Sequence, residues 1–285
     1  MASNIERTAA TFSSPVGSGA VLRAMVGAYA GHRLGPDPAG PTVGERPIGS
    51  PAVAARTQIL LPPSEGKTEG GRGAPWTPGT QAIGALDGRR GELLGLLGPD
   101  HAAVTGPTRP AIDRYSGVLY KELDAATITG AARRRLNANT LVVSGLWGLV
   151  APKDPIPYYK LKMAASMPPL GKLSTWWRPA VTAALTERTT GAVVWDLLPN
   201  EHVAAIDWTD LRPKQRVTVR FLDADGKTIS HWNKLLKGSI VRWLAETGTN
   251  DPRDLADFDH PQGYRLDPAT STLTGPRADV VLRAG

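Results

Sequence analysis

Four places where an apolar run gives way to polar residues carry the side chains with chemical potential, because strand ends are where α/β folds gather ligands. The first is Leu61-Pro-Pro-Ser-Glu-Gly-Lys-Thr68. Two prolines stiffen the exit of the run, and Gly66 permits a tight turn with exposed backbone amides. Ser64, Lys67 and Thr68 then face one space, a cradle for an oxyanion or phosphate. The spacing is not that of a P-loop, and an ordinary strand–loop connection reads the same way. The second, Arg114-Tyr-Ser-Gly-Val-Leu-Tyr120, offers a ring to stack at Tyr115, a hydroxyl at Ser116 and close backbone approach at Gly117. Tyr115 and Tyr120 serve equally well as core residues.

The third, Ser144-Gly-Leu-Trp-Gly-Leu-Val-Ala-Pro-Lys-Asp154, has Gly145 and Gly148 around Trp147 and reads as a ligand loop after a buried strand. It runs on through Asp154, Tyr158 and Tyr159 to Lys160 and Lys162. The fourth is Asp196 with Asn200-Glu201 beyond it; these acids would orient a base or a ribose, although Asp at such a place is also a common helix cap. Glu201 or Asp196 is the candidate general acid/base, and Lys67 or Lys234 the anion stabiliser. Ser64, Tyr115 and Asp154 complete the set of catalytic candidates, and Ser144, Tyr159 and Asn200 complete the pocket.

A basic segment lies further along, Ser230-His-Trp-Asn-Lys-Leu-Leu-Lys-Gly-Ser239. Lys234 and Lys237 share a helix face, with His231 and Asn233 at its start and Arg242 beyond them. That set suits a phosphate backbone, and a solvated basic helix is the plain alternative. Lys153, Lys160, Lys162 and Lys172 form a second basic group in one loop region. The five His residues are dispersed, no metal-ligand spacing occurs, and no cofactor is expected. Neither a G-x-S-x-G elbow nor a G-x-G-x-x-G fingerprint is present.

The elements that must position these groups read as strands at Gln58–Pro62, Thr140–Ser144, Ala192–Asp196 and Arg216–Leu222, with helices at Glu92–Leu97, Ala131–Leu136, Trp176–Arg188 and Asn233–Glu246. Asp225-Gly is a hairpin turn into Thr228–Ser230, and Gly263–Leu266 with Val280–Leu282 forms a closing hairpin. The mixture predicts one compact α/β (mixed α+β) domain over residues 57–285, with a mixed central sheet and antiparallel strands late in the chain. Residues 1–56 hold 8 Gly, 6 Pro and no Lys, a composition too poor in apolar residues to order a chain, except for a short helix at Gly17–Tyr29. They read as a disordered or loosely attached extension: a poor signal peptide, and equally a transit peptide or an early start codon.

The chain has 285 residues, with Lys+Arg 33 against Asp+Glu 26 and a formal net charge of +7. The absence of Cys excludes a disulfide scaffold, a thiolate zinc site and a cysteine nucleophile. No run of about 18 apolar residues occurs, which excludes a membrane-spanning helix. The basic balance points to an anionic partner, and a cytoplasmic location is expected.

Taken in order, the motifs resemble those of the YaaA family of peroxide stress proteins. They are Leu61-Pro-Pro-Ser-Glu-Gly-Lys67, Tyr115-Ser-Gly-Val-Leu-Tyr120, Ser144-Gly-Leu-Trp-Gly-Leu-Val-x-Pro-x-Asp154, Ile156-Pro-x-Tyr159, Trp176-Trp-Arg-Pro179 and Ser230-His-Trp-Asn-Lys-x-x-Lys-Gly238. The resemblance implies a compact mixed α/β fold without a common enzyme topology. It also implies a role in limiting oxidative DNA damage and DNA binding through a basic cleft. A helix-hairpin-helix-like element is implied as well, its nearest candidate being Met167-Pro-Pro-Leu-Gly-Lys-Leu-Ser174. Lys160 stands where an Arg usually follows the Tyr, and a Lys there loses bidentate geometry.

Two functions are expected on these grounds. One is a DNA-binding protein of the peroxide stress response, with duplex or distorted DNA as partner. The other is an enzyme acting on a nucleobase, nucleotide or similar small polar ligand in a pocket formed by the same motifs. An interaction protein whose basic loops are merely solvated is the third alternative.

Overall fold

The computed structural model describes residues 56–227 and 230–285, with only the backbone at 230–232. Nearly all of the expected N-terminal extension, including the Gly17–Tyr29 helix, lies outside the described residues, as do Thr228 and Ile229.

The chain builds a seven-stranded sheet from β1 (Thr57–Leu61), β2 (Thr140–Ser144), β3 (Gly148–Val150), β4 (Val193–Asp196), β5 (Gln215–Leu222), β6 (Tyr264–Leu266) and β7 (Arg277–Ala284). Their spatial order is β6-β7-β5-β4-β1-β2-β3. The five inner strands are parallel, with Ile59 opposite Thr140, Thr57 opposite Val193, Val193 opposite Gln215, and Arg216 opposite Arg277. Both edges are antiparallel hairpin partners, β3 against β2 and β6 against β7. The inner strands β2 and β4 are buried along their whole length, which is why they read as unbroken apolar runs rather than as alternation. At β5 the alternation returns, because its outward row of Arg216, Thr218 and Arg220 stays partly wet and pairs with Asp196 and Asp279.

The parallel core of this mixed sheet has a recognisable strand order. Strands 3-2-1-4-5 follow the order of doubly wound nucleotide-binding sheets, with β3 reversed. From β1 the chain first winds to one side, through β2 and β3, and then returns to add β4, β5 and β7 on the other side. The switch point therefore lies between β1 and β4.

Among the helices are α1 (Asp87–Leu97), α2 (Val118–Leu123), α3 (Gly130–Asn139), α4 (Leu173–Thr189), α5 (Asn200–Val203) and α6 (Ser230–Thr247). Two expectations change here. The turn at Asp225-Gly forms, with Asp223 N–H bonded to the Lys227 carbonyl at 2.9 Å, but Ser230 begins a helix rather than a returning strand. The helix α6 is instead the crossover that lets β7 join β5 in parallel. The helix-hairpin-helix candidate is a β-hairpin, Ser166–Met167 against Gly171–Lys172, leading into α4 with no helix at 157–165.

Packing of α6 onto α2 depends on Gly238. A Cβ there would lie 2.3 Å from the Leu119 carbonyl oxygen and 3.0 Å from the Leu123 amide nitrogen, both backbone atoms that cannot yield cheaply. Gly238→Ala is expected to lower the midpoint of chemical unfolding by an amount corresponding to about 1–3 kcal/mol. Gly91→Ala, in α1 with open space where the Cβ would go, should raise it by about 0.5–1 kcal/mol. Parallel denaturation curves for the two variants check the pair.

Candidate functional site

Loops from the C-terminal ends of β1 and β4 meet at the switch point, and what they enclose is built residue by residue. After Leu61, Pro62 and Pro63 end the strand, and the Pro62 carbonyl accepts the Tyr120 hydroxyl at 2.8 Å. Ser64 Oγ donates to the Gly66 carbonyl and accepts the Ser116 amide at 3.1 Å. Lys67 and Tyr115 form an antiparallel bridge, and Thr68 N–H reaches the Arg114 carbonyl at 2.8 Å. The two loops can lie this close because residue 117 is glycine: a Cβ there would be 2.7 Å from the Ser64 Cβ.

From the β4 side, Asp196 accepts the Leu198 amide at 3.1 Å and pairs with Arg216 at 2.5 Å, so it shapes the strand exit and is not free for chemistry. The short α5 then brings Glu201 and His202 to the same space. Tyr158 and Lys160–Lys162 close it from a third loop. The result is a cavity of about 580 Å³, lined also by Pro63–Lys67 and Ser116.

Its electrostatics are distinctive. Lys67 Nζ donates to the Ser64 carbonyl at 2.7 Å and lies 4.2 Å from the Tyr159 ring centroid and 5.6 Å from that of Tyr115. No carboxylate pairs with it among the described residues. Burial, with Arg114 and Lys160 nearby and only partly offset by Glu65, brings its ammonium down to about 8. Behind it runs a buried chain of hydroxyls, Ser144 to Tyr159 at 2.7 Å and Tyr159 to Tyr115 at 2.8 Å. Burial pushes the Tyr159 phenol up to about 12 and those of Tyr115 and Tyr120 well above the usual range, so the chain stays protonated. Across the cavity Lys162 pairs with Glu65 at 2.7 Å, each moving the other toward its charged form, and the Lys234 charge also reaches Glu65.

Of the residues singled out from the sequence, Ser64, Lys67, Ser116, Lys160, Lys162 and Glu201 line the cavity; Gly117, Tyr115, Tyr159 and Ser144 stand immediately behind the wall. The others lie elsewhere. Asp154 is buried and accepts the amides of Ala82 and Ala151 at 2.9 and 2.8 Å, tying loops together. Gly145, Trp147 and Gly148 form the tight turn between β2 and β3, which is a packed hairpin and not an open loop. Trp147 is wholly buried, and a Cβ on Gly148, whose φ is +67°, would meet the Trp177 ring at 2.8 Å.

Asn200 is exposed at the start of α5, and Lys172 is exposed on the small hairpin. Lys237 donates inward to the Leu197 carbonyl at 2.9 Å, and Arg242 binds Thr127 Oγ1 and Glu246 at 2.9 Å, anchoring α6. Lys234 is exposed and Asn233 half-buried on α6, while the His231 side chain lies outside the described residues. Among the described residues no group of three or more His, Asp or Glu side chains could hold a metal ion, and no helix is long and apolar enough to cross a membrane.

Sequence reasoning does not make His202 or Glu65 a site candidate. His202 is 4% exposed, its two ring nitrogens have no hydrogen-bond partner among the described residues, and Nδ1 lies 3.5 Å from Glu201 Oε1. A lone histidine far from the others in sequence offers no spacing to read. Its position two residues into a helix that comes after a strand end is the available signal.

An open, largely parallel sheet with a polar cavity at its switch point defines a protein of the mixed α/β class. A family model described as peroxide stress protein YaaA matches residues 97–270. A UPF0246 protein of Streptomyces coelicolor is 37% identical over 242 residues, covering 73% of this chain and 91% of its own. UPF0246 proteins of Corynebacterium glutamicum and Salinispora tropica are each 35% identical, over 217 and 183 residues, covering 66% and 60% of this chain and 84% and 67% of their own. The chain belongs to the peroxide stress protein YaaA (UPF0246) family.

Burial alone brings the His202 imidazole down to about 4 from its ordinary 6.5. The unfolded chain thus takes up this proton near pH 6.5 and the folded one only near pH 4. The stabilisation is complete above about pH 6.5 and is lost as the pH falls toward 4, on the order of 3 kcal/mol in all. His202→Gln should therefore show a smaller loss of unfolding free energy between pH 7 and pH 4.5 than the parent chain, measured by urea denaturation.

Proposed function

We propose that this protein acts in the peroxide stress response by binding DNA, with the switch-point cavity receiving a phosphate-bearing, nucleotide-like part of it. One observation carries the reading: Lys67, Lys160 and Lys162 line a single cavity at the place where α/β sheets of this strand order bind phosphorylated ligands, and the Lys234 charge reaches its rim. The net charge of +7 supports the same partner. Because Lys237, Arg242 and Lys172 are engaged or placed elsewhere, the anion contacts are assigned to fewer residues than the sequence offers.

A second reading is favoured by the cavity's mixed chemistry. It holds a lysine of depressed basicity, a carboxylate at Glu201 and an unpartnered imidazole, a combination that simple charge neutralisation does not require. Under this reading the chain is an enzyme acting on a nucleobase, nucleotide or related small polar substrate, with Glu201 as general acid/base and no bound cofactor.

Binding to duplex and bubble DNA, followed by fluorescence anisotropy across a salt series, tests the first reading. The logarithm of affinity should fall linearly with the logarithm of salt, and replacing Lys160, Lys162 and Lys234 together with Ala should flatten that slope by up to about 3. A salt-independent response in the parent chain overturns it. For the second, Glu201→Gln should abolish turnover of a nucleotide substrate found by thermal-shift screening while leaving the melting temperature unchanged. Undiminished turnover removes Glu201 from that role.

A further inference from the structure

The feature that phosphate binding leaves unexplained is the setting of Lys67. A lysine that only neutralises an anion works best fully charged and well solvated. Here the amine is drawn into the wall, against the faces of two tyrosine rings, with the Ser64 carbonyl taking one N–H at 2.7 Å. Its nearest acid, Glu65, is engaged by Lys162 across the cavity. The charged neighbours that remain, Arg114 and Lys160, are both cations. Such a site weakens the amine's hold on its proton, and the neutral fraction presents its lone pair beside a cavity large enough for a sugar phosphate.

We infer that Lys67 is an imine-forming lysine whose substrate is an aldehydic sugar phosphate, with Lys160 and Lys162 at the mouth to hold the phosphate. This inference rests on reading the cavity as a ligand site. In the step, the Lys67 nitrogen lone pair forms a bond to the aldehyde carbon as the carbonyl π pair moves onto oxygen. The carbonyl oxygen then leaves as water with both amine protons, and a C=N bond joins the side chain to the sugar. No oxidant, reductant or metal is consumed. Two sources present this chemistry, a free pentose phosphate in its open-chain form and the sugar of an abasic site in DNA.

Reductive trapping separates them. The full-length chain is incubated with cyanoborohydride and, in separate arms, deoxyribose 5-phosphate, a duplex bearing one abasic site, or the matched intact duplex, and is then mapped by peptide mass spectrometry. With an amine near 8 instead of the ordinary 10.5, the unprotonated fraction at pH 7 is on the order of 100-fold larger than for an exposed lysine. Allowing for the lower nucleophilicity of a weaker base, Lys67 should carry the reduced adduct at least about tenfold above Lys160 or Lys172. Trapping at Lys67 should level off above about pH 8, whereas trapping at exposed lysines continues to climb.

An adduct with the abasic duplex alone identifies the DNA lesion as the substrate, and one with deoxyribose 5-phosphate alone identifies the free sugar; the intact duplex gives none. Lys67→Arg, checked for folding by circular dichroism, should lose the adduct. Adducts spread evenly over the surface lysines, or none at Lys67 in either aldehyde arm, overturn the inference. If intact-duplex binding persists in that event, the DNA-binding reading stands without it. Mapping the parent chain decides the matter even if the variant fails to fold.

Discussion

The buried Arg114 guanidinium is the interaction on which the rest of the cavity depends. It is fully buried, yet it has no carboxylate partner among the described residues. Its charge is satisfied by backbone carbonyls instead: Ile156 at 3.1 and 3.2 Å, Pro107 at 3.0 Å, and Thr68. Those acceptors belong to three separate stretches of chain, so one planar fork fixes the loop after β1, the segment before residue 110 and the strand that leads to Tyr159. Leaving such a charge without its carbonyls would cost several kcal/mol, so the guanidinium holds the three loops in one arrangement. Burial lowers the basicity of Arg114 but an arginine remains charged. That permanent charge also helps to keep Lys67 from holding its own proton tightly.

A second buried arginine does the same for the scaffold. Arg90 binds the Ile83, Trp147 and Leu149 carbonyls at 2.9, 3.1 and 2.7 Å and pairs with Asp87 at 2.6 Å. It thereby clamps the turn between β2 and β3 from the side of α1, and Trp177 Nε1 grips the Gly145 carbonyl from α4 at 2.9 Å. These two contacts explain why the Ser144–Val150 stretch, so suggestive of a ligand loop, is packed solid. Its glycines serve close approach between protein segments. Toward the cavity it reaches through Ser144, by way of the Tyr159 hydroxyl, and through Gly145, which packs against the backbone of Leu161 and Lys162.

The regular elements are legible because their signals are local. Strands β2 and β4 are unbroken apolar runs, and α4 and α6 have helical periodicity, so their positions come from side-chain pattern to within a few residues. The sequence misleads at Ser230, because a turn at Asp225-Gly is compatible with either a strand or a helix after it. The helix is selected by β7, which takes the place beside β5 that a returning strand would need. Asp154 and Asp196 look catalytic since an acid at the end of a strand has the same sequence whether it faces a ligand or a backbone amide. His202 is not a sequence candidate for the opposite reason: its importance lies in having no hydrogen-bond partner among the described residues, and that is a property of the space around it.

By itself the sequence determined a mixed α/β chain with a basic excess, no thiol chemistry and no apolar helix to cross a membrane, together with the loops at which polar side chains leave buried strands. These derive from composition and from patterns a few residues long. Only the tertiary structure decided that β1 and β4 lie side by side at a switch point, bringing Lys67 and Glu201 to one cavity while turning Lys237 and Arg242 inward as anchors. The reason is physical: whether a charged group is a ligand contact or a structural clamp depends on what it is buried against, and those neighbours come from segments far away along the chain.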